Sequence, residues 1–273
     1  MVRAGLLQLG RLRVTLAYGA MLLVVTSALS ALDPDAQERI VERASTNLHN
    51  LAHGHVGTLL GSAFVVDAGA IALWLPNLLC LLALGELLWG STRLVVVFLV
   101  GHVGATLLVA AGLVAAVKEG WTSTDITRAT DVGMSYGAMA VLGALTAAIP
   151  RRWQPMWIGW WVGVGAAVIA ADGDFTDAGH GLALVLGVLV GMRFGPPQTW
   201  NPWRLGLLAV ASWFGFAMVV GSSDVVLTAT SSGLLCALAG GLASRLNGGR
   251  SMAFGQDAVR RRTTRDPTPH PCR

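Results

Sequence analysis

The chain has 273 residues, 54% of them hydrophobic and 12% charged, with a mean hydropathy of +0.62. A water-soluble domain carries roughly a quarter charged residues, so this composition excludes an aqueous globular fold and makes lipid the solvent around most of the chain. The net charge of +4 comes from arginine, with Lys118 the one lysine; these charges flank apolar runs or fill the tail, which argues against nucleic acid as a partner. Heavy use of Arg, Ala, Gly, Val and Leu fits a GC-rich bacterial genome. Thirty-four glycines suit close helix packing within a bilayer. Cys80, Cys236 and Cys272 are too few and too scattered for a disulfide framework or a metal site.

Taken in order, the long apolar runs predict spans at Val14–Leu32, Ala70–Trp89, Leu94–Val117, Gly133–Ile149, Met156–Ala171, His180–Met192, Leu205–Val220 and Val225–Leu242. The first follows Arg3, Arg11 and Arg13 and ends in small residues near Ser30 and Ala31. A cleaved secretory signal has that pattern, but a retained first span suits a chain with so many spans after it. The loop behind it holds Ser45-Thr46-Asn47, a cap for the helix that comes next. It also holds His49, His53 and His55 beside Glu42; we read these as scattered loop histidines and expect no metal. The run His55–Val66 is too short to cross ~30 Å of hydrocarbon and reads as an interfacial or re-entrant helix. Residues 247–273 are polar, basic and rich in Pro and Gly, which predicts a disordered tail. Its Arg260, Arg261 and Arg262 either touch anionic lipid or serve only as a solvated topology anchor.

Charge on alternate loops sets the orientation. One side carries Arg3, Arg11, Arg13, Arg93, Arg151, Arg152, Arg193, Arg204, Arg245 and the tail arginines. The other carries only Arg39, Arg43, Lys118 and Arg128, together with most of the acids. The positive-inside rule places both termini in the cytoplasm of a bacterial plasma membrane, multi-pass. Trp89, Trp153, Trp157, Trp200 and Trp203 fall at the cytoplasmic boundaries.

Polar residues within spans are costly and so are functional candidates. Ser135, in Gly133-Met134-Ser135-Tyr136-Gly137, begins the fourth span, and His180 opens the sixth. Ser135 stands 15 residues before Pro150, and His180 13 before Arg193. At ~1.5 Å per residue both lie roughly 20–22 Å above the cytoplasmic boundary. That leaves them about 8–10 Å below the outer face of a ~30 Å core. A hydroxyl and an imidazole at matched depth suit nucleophilic catalysis if those two spans are neighbours. The free N–H groups of the fourth helix would then face a developing oxyanion. His102, near the middle of the third span, hydrogen-bonds a neighbouring helix, lies near the active site, or relays protons.

Several stretches in this order resemble the rhomboid family. His55-Val-Gly-Thr-Leu-Leu-Gly-Ser-Ala-Phe64 is similar to the segment entering the rhomboid second helix. Gly85-Glu86 and Gly90-Ser91-Thr92-Arg93 resemble its Glu-x-x-x-Gly-x-x-Arg turn. Gly133, Ser135 and Gly143 resemble its Gly-x-Ser motif, and His180, Gly187 and Gly191 its histidine helix. Over about Val14 to Gly195 the resemblance implies an all-α polytopic membrane fold: a rhomboid-like six-helix core (1–195), then two additional transmembrane helices (196–246). It implies an intramembrane serine endopeptidase with Ser135 as nucleophile and His180 as general base. The substrates would be transmembrane proteins cut near the outer face, without a cofactor. The sequence departs from the family pattern at Tyr136 and Met139, where the family has glycine and an aromatic. It departs also at Ala70 and Trp74, where the second helix has an oxyanion-holding His and Asn. Asn77 and His55 are the substitutes on offer. The departures keep a catalytically inactive rhomboid-like binding protein open as the alternative. His102 and the Gly-rich spans are the grounds for a third reading, a small transporter, which lacks an inverted repeat or paired broken helices.

Overall fold

The computed structural model describes residues 10–66, 71–171, 173–194, 200–221 and 223–263, with the backbone alone at Ala72 and over 247–263. Arg3, Ala70, Asp172, Gly195, Arg265, Cys272 and Arg273 lie outside the described residues. So do the side chains of Arg250, Arg260, Arg261 and Arg262. Among the described residues every regular element is helical: the protein is an all-α polytopic membrane protein.

Eight helices coincide with the expected spans: α1 (Arg13–Ser30), α5 (Ile71–Trp89), α6 (Ser91–Lys118), α7 (Ser135–Ala144), α8 (Gln154–Ala170), α9 (Phe175–Gly191), α10 (Pro202–Val220) and α11 (Val226–Thr263). The loop after α1 folds into three shorter helices, α2 (Pro34–Ala44), α3 (Leu48–Ala52) and α4 (Thr58–Gly61), then a 3-10 turn at Ser62–Phe64. The apolar run expected at 55–66 is therefore a pair of tight turns and does not cross the bundle. Asp33 caps α2 by accepting from the Ala36 N–H at 2.9 Å. Asn47 caps α3 by accepting from Asn50 N–H at 2.9 Å, as its place in Ser45-Thr46-Asn47 predicts.

By length and apolarity alone, α1, α6, α10 and the Ser223–Leu246 stretch can cross a membrane; α5, α7 and α9 are shorter apolar helices. The shortest, α7, lies at the centre of the bundle, and every residue from Tyr136 to Ala144 is buried. A further 3-10 turn, Leu145–Ala147, continues it. Together they rise ~20 Å, well short of a ~30 Å core. The carbonyls at its far end are satisfied from neighbouring segments. Gln154 Nε2 donates to Thr146 and Ile149, at 3.1 and 3.0 Å, and Trp200 Nε1 donates to Ala148 at 3.0 Å. Such satisfaction is what allows a helix to stop inside a membrane.

Glycines let the helices around α7 approach to backbone contact. A Cβ on Gly187 of α9 would run into the Ala140 carbonyl, and one on Gly143 of α7 into the Leu184 carbonyl. On α6, a Cβ at Gly101 would strike the Ala140 side chain. Tyr136 meets Gly179 and Ala144 meets Gly191, so α7 and α9 run parallel with their N-termini at one end of the bundle. On the expectation drawn from the arginine distribution, that would be the outer end. The two C-terminal spans pack on this core. α11 lies along α8, where Gly159 and Gly163 face the Cys236 and Ser232 carbonyls. α10 packs mainly on α5 and also touches α7 and α8.

Two charged side chains organise the end opposite Ser135. Glu86 is 3% exposed, and its carboxylate accepts from Val14 N–H (3.0 Å), Thr15 N–H (2.9 Å), Thr15 Oγ1 (2.7 Å) and Ser91 Oγ (2.6 Å). A buried anion thereby caps the positive end of α1 and ties it to the start of α6. Arg93, the other charged residue of that turn, lies over the Phe194 ring at 5.3 Å. Removing the carboxylate leaves four donors unserved, two of them buried. Glu86→Ala is expected to destabilise the protein by about 3 kcal/mol, read by denaturant titration in detergent, with Glu86→Gln milder. Arg204, counted among the topology-setting charges, is buried and donates to the Leu87 carbonyl at 3.3 Å, binding α10 to the end of α5.

The backbone of α11 is helical to Thr263. Met, Ala, Gln and Arg are good helix formers, and extending a helix already nucleated by a span costs little.

Candidate active site

The chain reaches α7 through Gly133, whose φ of +116° is a left-handed value that suits glycine. The Gly133 N–H donates to the Ser62 carbonyl at 2.8 Å. Just before it, Asp131 N–H donates to Ser45 Oγ at 2.8 Å, and Thr46 N–H donates to the Asp131 carbonyl at 2.9 Å. The first outer loop thus fastens the approach to α7 at two places. Ser135 is the first residue of the helix, and no side chain caps that end. The first N–H groups of α7 are therefore aimed outward with the positive end of the dipole behind them.

α9 begins at Phe175, five residues before the expected start, because Asp174 and Asp177 form a capping box. Asp174 Oδ1 accepts from Thr176 N–H and Asp177 N–H at 2.8 and 3.0 Å, and Asp177 Oδ2 accepts from Asp174 N–H at 3.0 Å. His180 consequently sits in the second turn, 5% exposed. Its two ring nitrogens are buried and have no hydrogen-bond partner among the described residues. The fourth and sixth spans are direct neighbours, but Ser135 and His180 share no hydrogen bond. His180 instead meets the edge of Tyr136, with ring centroids 5.6 Å apart. The aromatic that the resemblance places four residues after the serine stands directly after it, and Gly179 leaves room for its ring. Sequence reasoning treated Tyr136 only as a departure. The Gly179-His180 pair was the available signal that a ring packs there. Met139, at the expected aromatic position, is buried in the core.

Among the described residues neither oxyanion candidate hydrogen-bonds to the start of α7. Asn77 donates its side-chain amide to the Leu73 carbonyl of its own helix at 2.7 Å, in the turn that Pro76 interrupts. His55 is exposed in the outer loop, and Trp74 is half-buried against the core. His49 and His53 stack at 4.3 Å, but among the described residues no group of three or more His, Cys, Asp or Glu side chains could hold a metal. His102 is 2% exposed and hydrogen-bonds, through Nε2, to Ser62 Oγ at 3.2 Å. Its partner belongs to the first outer loop and not to a neighbouring span.

A family model described as rhomboid-like protein matches residues 11–193. The chain belongs to the rhomboid-like family. No curated protein and no solved structure matches it. The match covers α1 to α9 and does not extend over α10 and α11. Within that core, Gly133, Gly143 and Gly187 each stand where a backbone turn or a helix contact requires no side chain, whereas Gly137 makes room for the Phe98 ring.

Burial pushes Asp131 up from an ordinary 3.8 to about 6, opposed by the Thr46 hydroxyl that donates to its Oδ2 at 3.3 Å. An acid whose folded value is raised favours the fold when protonated. The stabilisation is complete below pH 3.8 and lost as pH rises through about 6. Proteolytic nicking of the loop before α7 should therefore increase between pH 4 and 7 in this rhomboid-like chain, and Asp131→Asn should flatten that dependence.

Proposed function

We propose that this rhomboid-like membrane protein is an intramembrane serine endopeptidase, with Ser135 as nucleophile and His180 as general base. One observation carries the reading. A serine opens an uncapped, recessed helix, and the helix packed beside it holds a buried histidine with both ring nitrogens unpartnered. Burial without a partner is costly for an imidazole, which is reasonable for a group that takes up a proton during a reaction.

In this mechanism a ring nitrogen of His180 must reach the Ser135 hydroxyl from its place beside the Tyr136 edge. Serine Oγ attacks the scissile carbonyl carbon, and its proton passes to the imidazole. The carbonyl oxygen, now anionic, is held by the first N–H groups of α7; this backbone hole needs neither Asn77 nor His55. The imidazolium returns the proton to the leaving amine, and water then hydrolyses the acyl-serine ester. No cofactor enters. Substrates are transmembrane proteins cut near the outer face, in a bacterial plasma membrane with both termini of the enzyme in the cytoplasm, as the arginine distribution supports. A fluorophosphonate probe applied to the reconstituted protein should label Ser135. Label elsewhere, or none, overturns the proposal.

The second reading is a silent rhomboid-like protein that binds transmembrane partners. The missing Ser135–His180 hydrogen bond and the commitment of Asn77 to its own helix favour it. Ser135-dependent proteolysis would end it.

A further inference from the structure

The Ser–His hydrogen bond that the fold does make joins Ser62 to His102. The two cannot form a hydrolytic dyad, since Ser62 is 0% and His102 2% exposed and a substrate could not reach them. We propose that Ser62 and His102 are positioning residues for Ser135. The inference rests on reading Ser135 as the nucleophile and names what sets its place.

Ser62 opens the 3-10 turn Ser62–Phe64, and that turn is gripped from three sides. His102 of α6 holds the Ser62 hydroxyl. Tyr18 of α1 donates its hydroxyl to the Ala63 carbonyl at 2.6 Å. Gly133 donates its N–H to the Ser62 carbonyl, two residues before Ser135. The grip on His102 is equally close to the site. Its neighbour Gly101 lies against Ala140 and the Tyr136 carbonyl, in the first turns of α7. The His102 side of the bond is therefore fixed to the body of α7, and the Ser62 side to the stretch of chain that feeds into it. One directional bond closes the loop between them and sets where Ser135 emerges. Apolar packing could fill the same space but would leave the turn free to slide. The pair buries two polar groups, which is worthwhile only where register counts.

The test uses the full-length protein in liposomes and measures the rate of fluorophosphonate labelling at Ser135 per folded molecule. Ser62→Ala and His102→Leu are expected to slow labelling by at least about 10-fold, since small displacements of a reacting group are costly. His102→Gln, whose amide can either donate to or accept from the hydroxyl, and Ser62→Thr, which keeps the hydroxyl, should recover most of the rate. The pH profile should keep its shape throughout, because the base is His180. Labelling at the original rate in Ser62→Ala and His102→Leu overturns the proposal, as does failure of both conservative variants to recover it. If Ser135 does not label in the unmodified protein, the catalytic reading fails, and positioning is tested separately. The thiol introduced by Ser135→Cys should change its reaction rate with a soluble maleimide, mapped by peptide mass, when Ser62→Ala is added. An unchanged rate there also overturns the proposal.

Discussion

Ser135→Ala is expected to lower cleavage of a transmembrane substrate by about 10³-fold or more while leaving the fold intact. Ser135 is half-buried at the mouth of α7, and its hydroxyl makes no hydrogen bond among the described residues, so little stability depends on it. The loss would be chemical. Without Oγ no acyl-enzyme forms, and residual turnover must come from water held over the same backbone hole. His180→Ala should cost a similar factor, and the double variant little more than either single one, because the two groups act as a unit. Cleavage kinetics of one substrate across the three variants, in liposomes, measure all of this. Full activity in Ser135→Ala would remove the protease reading. Full activity in His180→Ala alone would move the general base elsewhere. The absence of a Ser135–His180 hydrogen bond at rest does not decide the matter, since such bonds often tighten only around substrate.

Gly187→Val is expected to be the most damaging packing change. The new Cβ would meet the carbonyl of Ala140, which is backbone and cannot swing aside. Overpacking a core costs roughly 1–3 kcal/mol, and a backbone clash between the two helices that carry Ser135 and His180 belongs at or above the top of that range. Gly143→Val, against the Leu184 carbonyl, should behave alike. Gly181→Val makes a sharp control: it stands one residue from His180, yet nothing lies within 4 Å of its Cβ position. Denaturation in detergent should show the first two strongly destabilised and the control nearly unchanged. If Gly181→Val proved as harmful, helix propensity and not interhelical contact would be the cause.

Apolar runs made the eight long helices readable, since a chain in lipid must alternate long hydrophobic stretches with charged turns. The fourth span was expected to begin at Gly133, two residues before Ser135 opens α7, because Gly133 and the polar residues before it interrupt the run. The start of α9 was missed by five residues: Asp174, Thr176 and Asp177 look like loop in a hydropathy reading, although they spell a capping box. Arg204 was counted as a solvated topology charge, and only the packing of α10 on α5 reveals it as a buried clasp. Asn77 was offered as an oxyanion donor one turn from the family position, and no sequence signal pointed to the bond its amide makes to the Leu73 carbonyl. The Ser62–His102 bond joins residues 40 apart in sequence. Neither residue carries a local signal for the other, so tertiary structure alone could disclose it.

The seventh span has a bearing on traffic. α10 rests on α5 and also reaches α7 and α8, with Gly215 pressed against Leu142 and Trp161 and with Arg204 clasped to the end of α5. A helix seated on three others seals that flank against the acyl chains. Under the proposed activity, a guest segment travelling in the plane of the bilayer would find no doorway there unless α10 were first unseated, at the cost of its clasp and its glycine contact. Approach from the aqueous side, over the sunken end of α7, requires no such displacement.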